Sequence, residues 1–329
     1  MPSDLTARAQ TFKTGAEARR ELLATVGAPS VLDDRAHSGM VGRLRSDSGM
    51  AGRGIGREHA LLFAREGARV VVNDLGGAND GAGSDAGPAQ EVVAEILAAG
   101  GKAISNTDNI ANWGGAGRLI EQAIDEFGRL DVLVNNAGIL RDGFIASLEE
   151  SQWDAVLDVH LKGHFATLRH ASLYWKKMSG SAQQVAGSVI NTASASGTIA
   201  PNAGQSNYGA AKAAIAALTL VAADELSRFG VRANAIAPIA RTRLTLATPG
   251  MGALFAIEPE EGEPDLFSPA QISPLVAWLA TEKCPVNGKV FAVSGGSIQA
   301  LGGWHVTHTT ETDGDWTIDG IAEAVEAWT

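Results

Sequence analysis

Tyr208 and Lys212 stand one helical turn apart in the segment Tyr208-Gly-Ala-Ala-Lys212. In a helix, this i, i+4 spacing places both side chains on one face. An ammonium group beside a phenol stabilises the phenolate, so it lowers the pKa of the tyrosine from about 10. Such a tyrosine can donate or accept a proton while a hydride moves to or from a nicotinamide ring. The other interpretation of the pattern is a surface pair with no chemical role.

Ser194 is the candidate for a hydroxyl group beside this pair. It follows residues 188–192, a short apolar run that predicts a buried strand. Ligands of open α/β sheets bind just beyond the carboxyl ends of the strands. We therefore expect Ser194 to hydrogen-bond the oxygen of the substrate.

A glycine-rich turn leads directly into a predicted helix, and it consists of Gly52, Arg53, Gly54, Ile55 and Gly56. Glycines let the backbone turn tightly and approach a pyrophosphate. The N-terminus of the following helix offers free N–H groups and a partial positive charge. The pattern predicts a phosphate-binding turn, and a plain strand-to-helix turn is the alternative.

Asp74 ends the next predicted strand after this turn. An acid at that place can accept hydrogen bonds from the adenosine ribose hydroxyls, and it would repel a 2′-phosphate. Asp74 therefore favours NAD over NADP as the cofactor. The alternative is a solvated residue that opens the glycine-rich loop of residues 76–88.

The elements that must position these residues alternate between strands and helices from about residue 52 to residue 297. Short apolar runs predict buried parallel strands, and the stretches between them predict helices. This alternation indicates an α/β fold with a doubly wound parallel sheet between two layers of helices. The predicted strands cover 69–74, 102–105, 130–135, 188–192, 231–237 and 289–293, and the predicted helices cover 55–66, 89–99, 112–127, 149–178, 208–229 and 271–281.

The predicted domain organisation follows from where the alternation of strands and helices begins and ends. We expect an N-terminal extension over residues 1–48, which is partly irregular. A single nucleotide-binding domain follows over residues 49–300, and residues 301–329 form a C-terminal tail.

Composition narrows the class of protein. The chain of 329 residues is 45% hydrophobic and 19% charged, as in a soluble globular protein. A net charge of −11 without a basic stripe argues against nucleic-acid binding. Cys284 is the one cysteine, which excludes an internal disulfide and a cysteine cluster, and we expect no metal site. Without a signal-peptide pattern or a long apolar run, we expect a cytoplasmic protein that does not enter the membrane.

Taken together, these motifs resemble the short-chain dehydrogenase/reductase family. Their order along the chain is Gly52–Gly56, Asp74, Asn135-Asn-Ala-Gly138, Ser194, Tyr208-x-x-x-Lys212 and Ala237-Pro238. The resemblance implies a Rossmann-like, single-domain fold that assembles as a homodimer or homotetramer. It also implies that Tyr208 is the acid/base, that Lys212 binds the nicotinamide ribose, and that Ser194 orients the substrate oxygen.

The resemblance implies further contacts with the cofactor. The segment formed by Asn135, Asn136, Ala137 and Gly138 would line the path from the adenine to the ribose. Asp108 would approach the edge of the adenine. Pro238 and Thr242 would lie near the nicotinamide and the pyrophosphate.

A closer resemblance is to the (3R)-hydroxyacyl-CoA dehydrogenase branch of that family. It is carried by VVVNDLGG (70–77), NNAGILRD (135–142), VHLKGHF (159–165), GQSNYGAAK (204–212) and NAIAPIARTRLT (234–245). It implies an NAD-dependent interconversion of 3-hydroxyacyl and 3-oxoacyl thioesters, with an acyl-CoA as the small-molecule substrate. Arg141, Arg241 and Arg243 could contact the CoA phosphates, or they could be solvated surface residues.

Two positions differ from the usual pattern of the family. His160 stands where many members carry an asparagine that helps to hold a water in a proton relay, but the hydroxyacyl-CoA branch also has histidine there. We count His160 among the catalytic candidates, and the alternative is a buried imidazole bonded to the backbone. Ser194 lies one residue further from Tyr208 than is usual, so Ser196 is the second candidate for its role.

The largest departure lies just before the glycine turn, in Leu44–Met50. The family has an apolar strand ending in Thr-Gly there, and here Met50 replaces the first glycine of the motif. Burying Arg45 and Asp47 in a central strand costs several kcal/mol each unless they are paired. Residues 28–32 are another candidate for this strand. If the cofactor site is destroyed, the chain is instead a catalytically silent scaffold or binding protein.

Overall fold

The structure is a computed structural model that describes residues 47–50, 52–181, 185–248, 252–257, 259–260 and 262–328. Over these residues the chain alternates between strands and helices, as the sequence predicts. The strands form a largely parallel sheet with helices on both faces. The predicted Rossmann-like α/β fold with three layers is therefore confirmed.

The sheet is built from short strands, in chain order β1 (Asp47–Met50), β2 (Arg69–Asn73), β3 (Lys102–Asn106), β4 (Val132–Asn135), β5 (Gly187–Thr192), β6 (Val231–Pro238), β7 (Val290–Ser294) and β8 (Ser297–Leu301). Hydrogen bonds join them in the orders β3-β2-β1 and β4-β5-β6-β7-β8, and β1 contacts β4. All of these pairs are parallel except β7 and β8, which form an antiparallel hairpin. The strand order reverses between β1 and β4, which is where open sheets of this kind bind ligands.

The helices are α1 (Gly54–Arg65), α2 (Gly87–Ala98), α3 (Trp113–Phe127), α4 (Glu150–Leu157), α5 (Gly163–Gly180), α6 (Ser206–Ser227), α7 (Arg243–Ala247), α8 (Gly252–Phe255), α9 (Ser273–Ala280) and α10 (Ile318–Glu326). Short 3₁₀ turns cover Ala195–Gly197 and Pro269–Gln271.

Successive residues of β2 point to opposite faces of the sheet, as the two-residue period of a strand requires. Val70 and Val72 pack in one core with α1, α2 and α9. Val71 packs in the other core with α3, α5 and α6. Because helices cover both faces, β2 is apolar at all three positions, which explains the continuous apolar run in the sequence.

The strand before the glycine turn is β1, which pairs in parallel with β2. Asp47 lies opposite Val70, and Met50 lies opposite Asn73. β1 thus occupies the central position for which the sequence offers two candidate segments. The other candidate, residues 28–32, lies outside the described residues, as do Arg45 and most of the expected extension, so the division into domains stays a prediction.

The single helix expected over residues 149–178 is divided in the structure. α4 ends at Leu157, a π-helical turn covers Asp158–Lys162, and α5 continues from Gly163. A π-helical turn has one residue more than an α-helical turn, and such turns are frequent at functional sites. This one contains His160, so the irregularity lies at a residue that the sequence already marks as a candidate.

Candidate active site

A cavity of about 360 Å³ opens at the carboxyl edge of the sheet. Its walls come from the residues that follow β2, β3, β4, β5 and β6, together with the first turns of α1 and α6. The predicted site residues that line it are Arg53, Gly54, Ile55, Asp74, Asp108, Asn136, Gly138, His160, Ser194, Tyr208, Lys212, Pro238 and Thr242. One cavity therefore brings together most of the residues that the motifs single out.

The N-terminus of α1 forms one end of this cavity. Its N-cap residue, Arg53, has an extended backbone, and no side chain caps the helix. Gly54 has a φ of 56°, in the left-handed region that glycine favours. The N–H groups of a first helical turn have no partner within the helix. This end of the cavity therefore fits the phosphates of a dinucleotide.

Asp74 lies next to that turn and is only 6% exposed. Its Oδ1 accepts a hydrogen bond from the Gly76 amide at 2.7 Å, and its Oδ2 accepts one from the Gly52 amide at 3.1 Å. Asp74 is therefore a buried residue that ties the glycine turn to the end of β2, and not only a solvated residue opening a loop.

Tyr208 and Lys212 approach the opposite end of the cavity from the first turns of α6. Lys212 is 2% exposed, and its Nζ donates a hydrogen bond to the Thr192 carbonyl oxygen at 2.5 Å. The same Nζ lies 5.6 Å from the centroid of the Tyr208 ring. The two side chains therefore share one helical face, and that face lines the cavity.

The electrostatic effect expected of Lys212 differs in the structure. Burial raises the pKa of Tyr208, the Ser194 hydroxyl partly offsets this rise, and Asp142 adds to it. Burial also lowers the pKa of Lys212 to about 7, because the ammonium group is costly in this position. The expected lowering of the Tyr208 pKa is therefore not found in the chain alone, where burial is the largest influence and Lys212 is not among the groups that shift this pKa.

Ser194 and Ser196 are distinguished by their positions. Ser194 lines the cavity, and its Oγ accepts a hydrogen bond from the Ser196 amide at 3.2 Å. The Ser196 hydroxyl donates to Gln205 Oε1 at 3.0 Å, and Ser196 is not part of the cavity wall. The geometry therefore favours Ser194 over Ser196 as the hydroxyl that meets a substrate.

His160 is completely buried on the π-helical turn. Its Nε2 lies 2.8 Å from the carbonyl oxygen and 3.1 Å from the amide nitrogen of Ile139. The imidazole meets the Tyr208 ring edge-on, with the centroids 5.1 Å apart and an interplanar angle of 89°. Burial, assisted by the charge of Lys212, lowers the pKa of His160 to about 3, so the ring is neutral at pH 7. His160 is thus a backbone-bonded imidazole that also touches the candidate acid/base.

Asn135 lies behind the cavity, in a chain of amide and hydroxyl groups. Its Oδ1 accepts a hydrogen bond from Thr167 Oγ1 at 2.7 Å, and its Nδ2 donates to Asn191 Oδ1 at 3.0 Å. Asn191 Nδ2 donates in turn to Thr219 Oγ1 at 3.0 Å. These bonds join β4, β5, α5 and α6, so Asn135 stabilises the fold. The other predicted cofactor residues outside the cavity wall are Gly52, Gly56 and Ala137.

The three arginines considered for CoA phosphates have different surroundings. The Arg241 guanidinium donates to the Asp265 carboxylate and to two backbone carbonyls in residues 255–257. Arg241 therefore anchors that segment, is not a solvated surface residue, and does not line the cavity. Arg141 and Arg243 do line the cavity and remain candidates for contacts with a substrate.

Gln205 and Asp142 were missed by the sequence analysis. Gln205 is 5% exposed, its Nε2 donates to Asp142 Oδ2 at 3.0 Å, and its Oε1 accepts from Ser196. Together they connect the segment after β4 to the 3₁₀ turn next to Ser194. The one signal in the sequence is that Asp142 ends the segment NNAGILRD and Gln205 lies in the segment GQSNYGAAK, the two segments that carry the closer resemblance.

Within the described ranges, no group of three or more His, Cys, Asp and Glu side chains is arranged to hold a metal ion. None of the helices in those ranges is both long and apolar enough to cross a membrane.

Comparison with known proteins places the chain in a family. The family model of the short chain dehydrogenases matches residues 50–245. A short-chain type dehydrogenase/reductase of Mycobacterium tuberculosis is 45% identical over 251 residues, which are 76% of this chain and 82% of that protein. A hydroxyacyl-CoA dehydrogenase of the same organism is 41% identical over 271 residues, 80% of this chain and 81% of that protein.

A solved structure agrees with these sequence matches. The crystal structure of a short chain dehydrogenase from Mycobacterium avium is 46% identical and matches with a TM-score of 0.77. The match covers 88% of this chain and 95% of that one. The resemblance seen in the motifs is thus confirmed over most of the chain. The protein belongs to the short-chain dehydrogenase/reductase family and is an oxidoreductase that acts on CH–OH groups with a nicotinamide dinucleotide cofactor.

Proposed function

We propose that the chain is an NAD(H)-dependent dehydrogenase that interconverts a 3-hydroxyacyl thioester and the corresponding 3-oxoacyl thioester. The observation that carries this proposal is that two sets of functional residues lie at opposite ends of the same cavity. An uncapped helix N-terminus and Asp74 lie at one end, and Tyr208, Lys212 and Ser194 lie at the other. A bound dinucleotide needs the first set, and proton transfer to or from an alcohol needs the second.

Tyr208 is the acid/base of the proposed reaction. In the oxidation its phenolate oxygen takes the proton of the substrate hydroxyl, and in the reduction its hydroxyl returns a proton to the carbonyl oxygen. The nicotinamide ring, when bound, supplies the hydride chemistry. The Ser194 hydroxyl hydrogen-bonds the same substrate oxygen and holds it within reach of Tyr208. Lys212 binds the nicotinamide ribose, and its protonated form favours the phenolate.

His160 acts as a positioning residue in this scheme. Its neutral ring is fixed by the backbone of Ile139 and packs edge-on against Tyr208. A buried ring with that contact restricts the orientation of the phenol before the substrate arrives. His160 therefore supports the acid/base without exchanging the proton itself.

Asp74 supports the choice of NAD. Its carboxylate is buried at the end of β2 and lines the cavity beside the glycine turn. A 2′-phosphate on the adenosine ribose would bring a second negative charge close to this carboxylate, which is unfavourable in a partly desolvated site.

Two observations support an acyl-CoA substrate: similarity to a named relative, and positively charged arginines in the cavity wall. The relative that is 41% identical bears the name hydroxyacyl-CoA dehydrogenase. Arg141 and Arg243 line the same cavity as Tyr208 and offer guanidinium groups suited to phosphate oxygens. A thioester carrying a 3-hydroxyl group would place its CH–OH carbon near Tyr208 and its phosphates near these arginines.

The test combines binding and turnover. Purified protein is titrated with NADH and NADPH by nicotinamide fluorescence, and NAD reduction is then followed with 3-hydroxybutyryl-CoA. We expect NADH to bind more tightly than NADPH. We also expect Tyr208→Phe to bind NADH normally but to lose at least about 10²-fold in turnover, since general acid/base groups contribute factors of that size. Unchanged turnover in Tyr208→Phe would overturn the proposed chemistry.

The titration also decides between the dehydrogenase and the silent scaffold. A chain whose first strand and Met50 have destroyed the phosphate site would bind neither nucleotide at millimolar concentrations. Binding of NADH in the micromolar range would rule out the scaffold.

A further inference from the structure

The loop between β2 and α2, residues 75–86, crosses the cavity to its opposite wall. The Leu140 amide donates a hydrogen bond to the Asn79 carbonyl oxygen at 2.9 Å. Arg141 Nε donates to the Asp80 carbonyl oxygen at 2.8 Å. Asn79 Nδ2 donates to the Arg243 carbonyl oxygen at 3.3 Å. The loop is therefore tied to the segment after β4 and to the start of α7, and it spans the cavity between them.

The closed shape of this loop depends on its glycines. Gly76 has a φ of 77°, and a Cβ atom at this residue would lie 1.8 Å from the Asp85 carbonyl oxygen. Gly81 has a φ of 85°, and a Cβ atom there would lie 3.1 Å from the Ile139 side chain. The amide of Asp85 also donates to the Leu75 carbonyl oxygen at 2.9 Å and closes the base of the loop. The glycine-rich sequence is thus required by a defined conformation.

The side-chain oxygen of Asn79 has no hydrogen-bond donor among the described residues. Its Oδ1 is buried in the cavity wall and accepts no hydrogen bond from any described residue. An unsatisfied buried acceptor is unfavourable, so such an atom is expected to meet a donor in the working protein. The phosphates of a dinucleotide offer no donor at pH 7, whereas the ribose hydroxyls, the adenine amino group and the nicotinamide carboxamide do. The position of Asn79 and the ADP-ribose and AMP probes below distinguish among these donors.

The position of Asn79 identifies which ribose is in reach. Asp74, where the loop begins, lies on the side of the adenosine ribose. Asn79 instead meets Leu140, which follows the Gly138–Ile139 pair packed against His160. Asn79 also donates to the carbonyl of Arg243, whose neighbour Thr242 lies beside the glycine turn. Asn79 therefore lies between the glycine turn and the catalytic residues, where the ribose attached to the nicotinamide would sit.

We propose that residues 76–85 form a strap that closes over the bound dinucleotide, and that Asn79 is a further cofactor contact whose Oδ1 accepts a hydrogen bond from a hydroxyl of the nicotinamide ribose. This inference rests on the proposed NAD(H) function. The strap is held at both sides of the cavity, so its contacts with Leu140, Arg141 and Arg243 must open before the cofactor can leave. The strap therefore slows dissociation of NADH, and Asn79 strengthens binding of the closed form.

Equilibrium binding tests the Asn79 contact with NADH, ADP-ribose and AMP as probes. We expect Asn79→Ala to weaken binding of NADH and ADP-ribose by about tenfold, the usual effect of one lost hydrogen bond to a ligand. Binding of AMP, which lacks the second ribose, should not change. The matched control is Ser84→Ala, an exposed residue of the same loop, and it should bind all three probes as the wild type does.

Stopped-flow displacement of NADH tests the strap itself. Gly81→Ala strains the closed loop without touching Asp74, so we expect NADH to dissociate several times faster, with the melting temperature changed little because the loop lies outside both cores. If wild type binds NADH but both variants match it, the strap is wrong while the proposed function stands. An equal loss of AMP binding in Asn79→Ala would overturn the assignment to the nicotinamide ribose. If wild type binds no NADH, the proposed function fails first.

Discussion

The Asp74 carboxylate and the Gly52 amide are joined so closely that no side chain fits between them. Asp74 Oδ2 accepts from Gly52 N at 3.1 Å, and a Cβ atom at residue 52 would lie 2.5 Å from the same oxygen. The residue that would select the cofactor thus also fixes the turn that would hold the phosphates. A change at Asp74 is therefore expected to affect both properties, whereas a change at Gly52 is expected to affect phosphate binding alone.

Asp74→Asn keeps one oxygen acceptor and removes the negative charge. We expect affinity for NADPH to rise relative to NADH by roughly tenfold, about 1.4 kcal/mol, because repulsion of the 2′-phosphate is lost. Fluorescence titration of the two nucleotides measures the ratio. Gly52→Ala is the informative comparison, since it should weaken both nucleotides without changing their ratio. An unchanged ratio in Asp74→Asn would show that Asp74 does not select the cofactor.

Gly138 and His160 offer a test of the positioning role. A Cβ atom at residue 138 would lie 2.6 Å from His160 Cε1, so Gly138→Ala must push the imidazole away from its place against Tyr208. We expect kcat to fall about tenfold or more, with the KM for the acyl substrate nearly unchanged.

The coupling between the two residues is measured by a double-mutant cycle. In a His160→Ala background, Gly138→Ala has space for its methyl group and should cost little further activity. Gly180→Ala, where the structure leaves open space, is the control for an added methyl group. Additive losses in the double variant would contradict the steric explanation.

Because Lys212 is buried, we expect the free energy of unfolding to rise at alkaline pH. Its pKa is lowered by burial from 10.5 to about 7, so between these values the unfolded chain binds a proton that the folded chain does not. The free energy of unfolding therefore increases with pH from about 7 upward, by up to about 1.4 kcal/mol per pH unit. Urea unfolding at pH 7.5, 8.5 and 9.5 measures this slope. Lys212→Met should flatten it, whereas Lys162→Met, on the surface, should leave it as in the wild type.

Because His59 is buried, we expect the free energy of unfolding to fall in acid. It is 2% exposed, its Nδ1 lies 2.8 Å from Ser273 Oγ, and burial lowers its pKa from 6.5 to about 3. Below about pH 6.5 His59 is protonated in the unfolded chain but stays neutral in the folded chain. The free energy of unfolding therefore falls as the pH falls toward 3.

The slope between pH 6 and 4 shows whether His59 contributes. His59→Gln should make the decline shallower by up to about 1.4 kcal/mol per pH unit. The exposed His305→Gln variant should decline as the wild type does. A wild-type slope in His59→Gln would mean that the acid sensitivity arises elsewhere, for example at His160.

The sequence revealed the fold because its signals are local. The run Val70–Val72 is apolar at three successive positions, which is typical of a strand covered on both faces, and the structure places it so. The glycine turn and the Tyr208–Lys212 spacing are also local patterns. β8 was not predicted because Ser297–Leu301 is short and includes polar Ser297 and Gln299, and it is an edge strand held by its hairpin with β7.

The electrostatics of the site could not be read in the same way. Whether Lys212 lowers the pKa of Tyr208 depends on how far both groups are buried, and burial is a property of the whole fold. The partnership of Gln205 with Asp142 joins residues far apart in the chain. No spacing rule predicts such a pair, so the sequence could mark only the segments in which the two residues lie.

The π-helical turn at Asp158–Lys162 changes how the chain around it should be compared with other sequences. One additional residue in a helix rotates everything after it by about 100°. A helical-wheel diagram drawn through residues 149–178 without a break would therefore assign the buried side of α5 to the wrong residues. In an alignment, a relative that lacks the wider turn would carry a one-residue gap here, so that gap would record a change in the wall of the active site and not in a surface loop.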